Sequence, residues 1–391
     1  MDYKQAANSQ YIRDLNLTSI FRLIYKHGPV SRKQLAENTG YSSATISNHV
    51  RRLYDNYFVI ETEKGISTGG RKPVYLTWNP ERSYIIAVSI EVTKIRLILF
   101  NLKLKIKKKV SYILNKKELK YVVEKLIGGI DKIIKQSGIS KEKIMGIGIA
   151  VPGLVDSENG IINFAPNLYW KDINMKKYIQ ENYRLPFILE NEARAAVVGE
   201  SEFVYSDIGN IVFVSINEGI GCGIIFNGSL YRGSSGNAGE FGHIIIDSSG
   251  PECHCGNNGC WETLASLNYI KNRYHKLNNP ILSSEQLIDK AEGGDKKLQN
   301  IIKETGENIG IGLVNIINSL SPELLVIGGD ILNFRKYIEK DINKIISEKV
   351  FDLFKEKIAV KYSRLSKNAP LYGIARIVFD SRIEEEIFEV V

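Results

Sequence analysis

No apolar run in this chain is long enough to span a membrane, and its first residues, M-D-Y-K-Q-A-A-N, lack the apolar core of a secretory signal. These absences argue against membrane and export classes, and a cytoplasmic protein is expected. Cysteine is scarce, with four in 391 residues. Most of them cluster beside a histidine, a pattern that in the cytosol favours metal over disulfide. An acidic balance is missing too: 52 Lys+Arg stand against 44 Asp+Glu, a net charge of +8. What remains is an ordinary globular composition, 43% hydrophobic and 25% charged. The length allows two or three domains and a sizeable core.

Cys253, Cys255 and Cys260 fall within eight residues, in C-H-C-G-N-N-G-C, and His243 lies ten residues before the first of them, in G-E-F-G-H. Three thiolates and one imidazole complete a tetrahedral Cys₃His shell, the pattern of a closed structural Zn²⁺ site with no position open for catalysis. Gly256 and Gly259 let the loop fold back so that the three sulfurs face one ion. His254, between two of the cysteines, is a competing ligand. Glu240, three residues before His243, becomes an acid fixed in place by the metal. Cys222 reads as a small buried residue in a glycine-rich turn.

The positive charge is uneven. Residues 1–80 hold 11 Lys+Arg against 6 Asp+Glu, while the other 311 hold 41 against 38. An N-terminal module that binds a polyanion is expected. Ile12 to His27 has helical spacing and stops at Gly28-Pro29. Ser31 caps a short helix with Gln34 at the capping-box position. After Gly40 a second short helix runs from Ser42 to Asn56, burying Ile46, Val50 and Leu53. Two helices about a glycine turn form a helix-turn-helix. Ser42, Ser43, Thr45, Ser47, Asn48 and Arg51 can reach base edges and phosphates in a major groove. Strands at Phe58–Thr62 and Pro73–Trp78 flank K-G-I-S-T-G-G-R-K-P, a basic wing whose tip places Arg71 and Lys72 toward a minor groove.

The rest of the chain alternates apolar strands, glycine turns and helices twice over. Tyr84–Phe100 is a strand pair, a helix near Tyr121–Gln136 leads to a strand at Ile144–Val151, residues 211–226 form a hairpin, and Leu324–Ile327 is a short buried strand. This predicts an α/β domain of two lobes with a cleft between them. Lysines 103, 105, 107, 108 and 109 alternate with Leu102, Leu104 and Ile106, which reads as a half-buried strand rather than a polyanion site.

These residues carry a family resemblance. G-E-F-G-H followed by C-H-C-G-N-N-G-C-W-E, together with A-P-N-L-Y-W-K-D, E-N-E-A-R-A-A and the G-G-R-K-P wing, resembles the ROK family of repressors and sugar kinases, and within it the xylose repressors of Gram-positive bacteria. The resemblance covers nearly the whole chain. It implies an N-terminal winged helix-turn-helix (1–80) followed by a bilobal actin/hexokinase-like ROK domain (81–391), with lobes at about 81–200 and 201–391. It also favours His243 over His254 as the zinc ligand.

A kinase of this family needs three elements, and this chain departs from each. The first phosphate turn, D-x-G-G-T in the family, is replaced by Ser89-Ile90-Glu91-Val92-Thr93, without the glycine amides that hold phosphate. The second, G-T-G-x-G-x-G, becomes Asn217-Glu218-Gly219-Ile220-Gly221-Cys222-Gly223, with a carboxylate where a triphosphate would lie. The general base, the Asp of an N-D pair, is replaced in Asn191-Glu192 by a side chain one methylene longer. No catalytic residue is therefore expected. The positions that hold sugar hydroxyls in the family are matched by Asn191, Glu240, His243 and Glu262. Glu192 can still bond a hydroxyl, and Asn167 and Gly153 join the pocket. Acids beside an amide suit a polyol.

The expectation is thus a sugar-responsive repressor: a zinc-bearing homodimer or higher homo-oligomer on double-stranded operator DNA. Its effector is a monosaccharide, xylose first and glucose second. The alternatives are an active sugar kinase with an accessory DNA-binding domain and a sugar-independent DNA-binding dimer. The acidic tail from Arg382 is expected to be a terminal helix near the hinge or an interface.

Overall fold

The computed structural model describes residues 9–64, 73–355 and 357–389. The wing tip, with Arg71 and Lys72, lies outside the described residues. Helices Ser9–His27, Arg32–Thr39 and Ser43–Asp55 open the chain. Ser31 and Gln34 form the reciprocal capping box, and Ser42 caps the third helix by accepting from the Thr45 amide. Ile46, Val50 and Leu53 are buried against Leu17, Ile20 and Ile24 of the first helix. Strand Val74–Trp78 pairs antiparallel with Val59–Lys64 and with a third short strand, Val30–Ser31. The result is a winged helix-turn-helix.

Each following lobe is built on a five-stranded sheet of the same plan. In the first, Tyr84–Ile90 pairs antiparallel with Lys94–Asn101, which pairs with Ile106–Ile113. Ile144–Val151 and Phe187–Asn191 add parallel strands on the other side. In the second, Ile211–Ile216, Ile220–Phe226 and Ser229–Leu230 are antiparallel, while Leu324–Gly328 and Ala359–Tyr362 are the parallel additions. The repeated plan is the bilobal actin/hexokinase-like fold. The lysine-rich segment differs in one detail. Leu102 and Leu104 are buried and Lys103 and Lys105 exposed, but this part is a turn with Leu104 at φ 51°, and the strand starts only at Ile106.

Two helices tie the molecule together. Glu192–Phe203 starts at the end of a first-lobe strand and packs beneath the 211–226 hairpin of the second lobe. Ala369–Glu389, which ends in the acidic tail, lies across the first sheet with Ile374 and Val378 filling the space above Gly148. Its Phe379 packs on Tyr25 and Trp78, so one apolar core runs from the winged helix through this last helix into the first lobe. Among the described residues no helix is long and apolar enough to cross a membrane.

Candidate functional site

Between the lobes lies a cavity of about 480 Å³, within the usual range for a small-molecule site. Strand ends supply its wall. Asn191 ends Phe187–Asn191, and its Oδ1 accepts from the Ala193 and Arg194 amides at 2.9 and 3.1 Å, while its Nδ2 donates to the Gly153 carbonyl at 2.9 Å. The first helical residue, Glu192, accepts from Asn217 Nδ2 at 3.0 Å and Ser215 Oγ at 3.3 Å. Burial, reinforced by the carboxylates of Glu91 and Glu218, pushes the Glu192 carboxyl up to about 7 despite these two donors. Asn167, Glu240, His243 and Glu262 line the same cavity, as do Gly153 and His254. The structure thus brings together every residue expected to meet a sugar. Asn191 differs from that expectation in one respect: its amide already caps a helix and pins the Gly153 turn.

Glu240 stands beside His243 on a short 3₁₀ turn, its Oε2 3.9 Å from His243 Nε2. Burial raises its carboxyl above the ordinary range, Arg194 opposes the rise, and Glu262 adds to it. Glu262 is almost buried. It accepts from the Ile220 amide at 3.4 Å on one oxygen and lies 3.3 Å from both His254 Nδ1 and Cys253 Sγ on the other.

Below these acids the ligand atoms of His243, Cys253, Cys255 and Cys260 all lie within 4.8 Å of one another. Cys253 Sγ is 3.5 Å from His243 Nδ1, and Cys255 Sγ is 3.6 Å from Cys260 Sγ. A tetrahedral ion bound by sulfur near 2.3 Å and nitrogen near 2.0 Å sets its ligand atoms roughly 3.5–3.8 Å apart, so the cluster is compatible with a metal site. His243 points Nδ1 at the cysteines and leaves Nε2 toward Glu240 and the cavity. Burial holds its imidazole below the usual range, with His254 acting the same way and Glu262 opposing, which favours the neutral form a metal requires. Gly259 is required in the loop, because a Cβ there would stand 1.5 Å from the Asp247 carbonyl oxygen. His254 groups instead with His243, Cys253 and Glu262.

Other residues that line the cavity are held in ion pairs. Glu91 is held by Arg96, which also donates to the Lys367 carbonyl and to Asn368 Oδ1. Lys367 in turn holds Asp330 at 2.8 Å, and Lys271 holds Glu218 at 3.2 Å. A second network was not foreseen from the sequence. Glu190, fully buried, accepts from Arg194 Nε at 2.7 Å, from Arg232 at 2.9 and 3.1 Å, and from Ser157 at 3.1 Å. Arg194 also reaches the Gly236 carbonyl. This network fastens the 231–239 loop, which leads into Glu240, to the first lobe. The E-N-E-A-R run holds two of its members, but nothing local marks Arg232 as the partner.

On the winged helix, Ser43, Ser47, Asn48 and Arg51 are exposed on one helix and Thr45 is half-buried. Ser42 is spent on the cap, its Oγ 2.9 Å from Thr45 Oγ1. Arg51 lies 3.6 Å from Asp55 on a side chain left 82% exposed, so it is free to swing toward a phosphate. Lys33, on the preceding helix and 87% exposed, adds positive charge that the sequence reading passed over.

The ROK family model matches residues 85–381, and a winged helix-turn-helix DNA-binding model matches residues 13–56. The xylose repressor of Bacillus subtilis (strain 168) is 35% identical over 379 residues, covering 96% of this chain and 97% of the relative. The crystal structure of a ROK family transcriptional regulator, a homologue of the Escherichia coli Mlc protein, is 27% identical with a TM-score of 0.80, covering 97% of this chain and 99% of its own. A ROK glucokinase from Streptomyces griseus, solved with glucose and AMPPNP, shares the fold of the two lobes at 24% identity and a TM-score of 0.67, covering 75% of this chain and 99% of its own. The bilobal fold, the winged helix and these matches along nearly the whole length establish that the chain belongs to the ROK family, on the side of its repressors.

Proposed function

We propose that this chain is a xylose-responsive repressor that binds its sugar without phosphorylating it. The observation that carries this reading is the asymmetry of the cleft. One set of its lining residues, Asn167, Glu192, Glu240, His243 and Glu262, offers donors and acceptors suited to adjacent hydroxyls. The lining cations that could meet a phosphate, Arg96 and Lys367, are instead bound to the chain's own carboxylates and carbonyls. The likeness to xylose repressors supports xylose as the effector, with glucose second. The division of labour falls near residue 80, with DNA binding before it and sugar binding in 81–391.

In this reading Ser43, Thr45, Ser47, Asn48 and Arg51 enter the major groove, with Ser42 capping their helix and Arg71 and Lys72 in the wing. Two copies of the chain read the two halves of a palindromic operator. His243, Cys253, Cys255 and Cys260 hold a structural Zn²⁺, which fixes Glu240 and the outer nitrogen of His243 at the sugar. Cys255→Ser then loses the bound zinc and lowers the unfolding temperature, measured by metal analysis and calorimetry; full zinc occupancy in the variant removes Cys255 from the site.

Calorimetric titration with xylose, glucose and N-acetylglucosamine, beside a phosphorylation assay with ATP, tests the whole reading. Saturable xylose binding with no sugar phosphate formed is the expected result. Turnover of any of the three sugars would make the chain a kinase, and no binding at all would leave it a sugar-independent DNA-binding protein.

A further inference from the structure

The structure contains a short mechanical path from the cleft to the DNA-binding domain, and one side chain closes it. Helix Glu192–Phe203 begins in the cleft with Glu192 and ends about 18 Å away. It lies backbone to backbone against helix Ala369–Glu389. A Cβ on Gly373 would stand 1.6 Å from the Ala195 carbonyl oxygen, and one on Gly199 would stand 2.4 Å from the Ala369 carbonyl oxygen. Two helices in such contact shift together rather than slide.

Near the far end of this pair stands Arg376, its side chain only 20% exposed. Its guanidinium is bound to Glu202 of the cleft helix, to Asp380 Oδ2 at 2.8 Å and to the Tyr25 hydroxyl at 3.1 Å. Tyr25 belongs to the first helix of the winged domain, with its ring 5.0 Å from Trp78 and 5.5 Å from Phe379. One planar cation therefore touches both the cleft helix and the DNA-binding domain, with its fork fixed in direction. Among the described residues, further polar links at this junction join Arg22 to Glu384 and Arg82 to Glu386, with Arg82 also donating to the Asn56 carbonyl at 3.2 Å, and none of them touches the cleft helix. A cavity of about 500 Å³ lies at the same junction, lined by Tyr57 and Asn79 on one side and by Met145 and Pro186 on the other. It leaves room for the winged domain to tilt.

We infer that Arg376 is the positioning residue that passes the state of the sugar cleft to the winged helix, receiving it through Glu202 and delivering it through Tyr25. This rests on the reading that cleft and DNA binding are coupled. When a sugar closes the lobes around Glu192, the cleft helix and the last helix move as a pair. Glu202 and Asp380 then carry the guanidinium with them, and the Tyr25 hydroxyl follows. The apolar contacts of Phe379 hold the domains together; the guanidinium sets their angle.

The test uses full-length protein in three variants, Arg376→Gln, Tyr25→Phe and Glu384→Gln. Operator affinity is measured by fluorescence anisotropy with and without xylose, and xylose affinity by calorimetry. Arg376→Gln and Tyr25→Phe are expected to bind xylose and, separately, operator much as the native protein does. The xylose effect on operator affinity should shrink about tenfold, a typical size for allosteric coupling. Glu384→Gln should keep the full effect. Tyr25→Phe removes a single hydroxyl, so it carries the test even if Arg376→Gln fails to fold. A full xylose effect in Tyr25→Phe, or an equal loss in Glu384→Gln, overturns the role of Arg376 alone. A native protein whose operator affinity ignores xylose overturns the functional reading together with it.

Discussion

Glu192 sits where burial and two neighbouring carboxylates work against its charge. Its carboxyl titrates at about 7 in the fold against an ordinary 4.5, so the folded protein binds this proton more tightly than the unfolded chain. Ionising it lowers stability progressively as pH rises from 4.5 to about 7; the cost is complete above that window and absent below it. Glu192→Gln keeps an acceptor for Asn217 and cannot ionise. It should be more stable than the native chain near pH 8 by on the order of 2 kcal/mol, and equal near pH 4. Urea denaturation at the two pH values measures this, and a difference that does not change with pH would remove the electrostatic explanation. Residues of this kind were only half legible in the sequence. Glu192 stood out because a glutamate occupies the place of a family aspartate. Its raised carboxyl depends first on burial and then on Glu91 and Glu218, and only the closed fold supplies either. The cysteine cluster was easier to read because three of its four members lie within eight residues, so local backbone turns bring them close to one another. Glu190 was missed for the opposite reason: its partner Arg232 sits on a loop of the other lobe.

At the scale of elements, local signals were legible and distant ones were not. The helix-turn-helix followed from Ser31, Gln34 and Ser42, which act on amides three residues away. The lysine-rich segment misled at its start because the same alternation of burial arises in a turn. The tail from Arg382 was readable as a helix, but its start at Ala369 and its partners were not: Gly373 has no local purpose in a helix, where glycine is unfavourable by roughly 1 kcal/mol relative to alanine. Its purpose is the Ala195 carbonyl, which occupies the space where a Cβ would be. Gly373→Ala should therefore reverse the usual gain in helix propensity and destabilise the protein by about 3 kcal/mol or more, because the clash is with backbone that no rotamer change relieves. Alanine at Gly128, on the helix Leu119–Ser137 with open space around it, should be neutral or slightly stabilising. Thermal unfolding of the two variants separates the effects, and equal melting temperatures would show that the two helices can part at little cost.

For the whole molecule, the proposed function puts the two binding events in one equilibrium. If xylose favours an arrangement of the winged helices that fits the operator worse, the operator must favour the arrangement that fits xylose worse, by the same factor. The size of that factor is limited by the difference in sugar affinity between the two arrangements, not by how tightly the sugar binds. Charge supplies a way to separate this coupling from simple weakening. The N-terminal eighty residues carry a net +5, so operator affinity should fall steeply with added salt, because the counterions released from the DNA gain less entropy in a saltier solution. The neutral sugar in its cleft should lose little over the same range. Xylose affinity measured with and without operator, at two salt concentrations that both keep the DNA saturated, should therefore differ by the same ratio as operator affinity measured with and without xylose. Both ratios should move together if salt shifts the balance of arrangements. Unequal ratios under matched conditions would mean that a further species, such as a dissociated subunit, takes part in the equilibrium, because a closed cycle of free, sugar-bound, DNA-bound and doubly bound protein requires equal ratios.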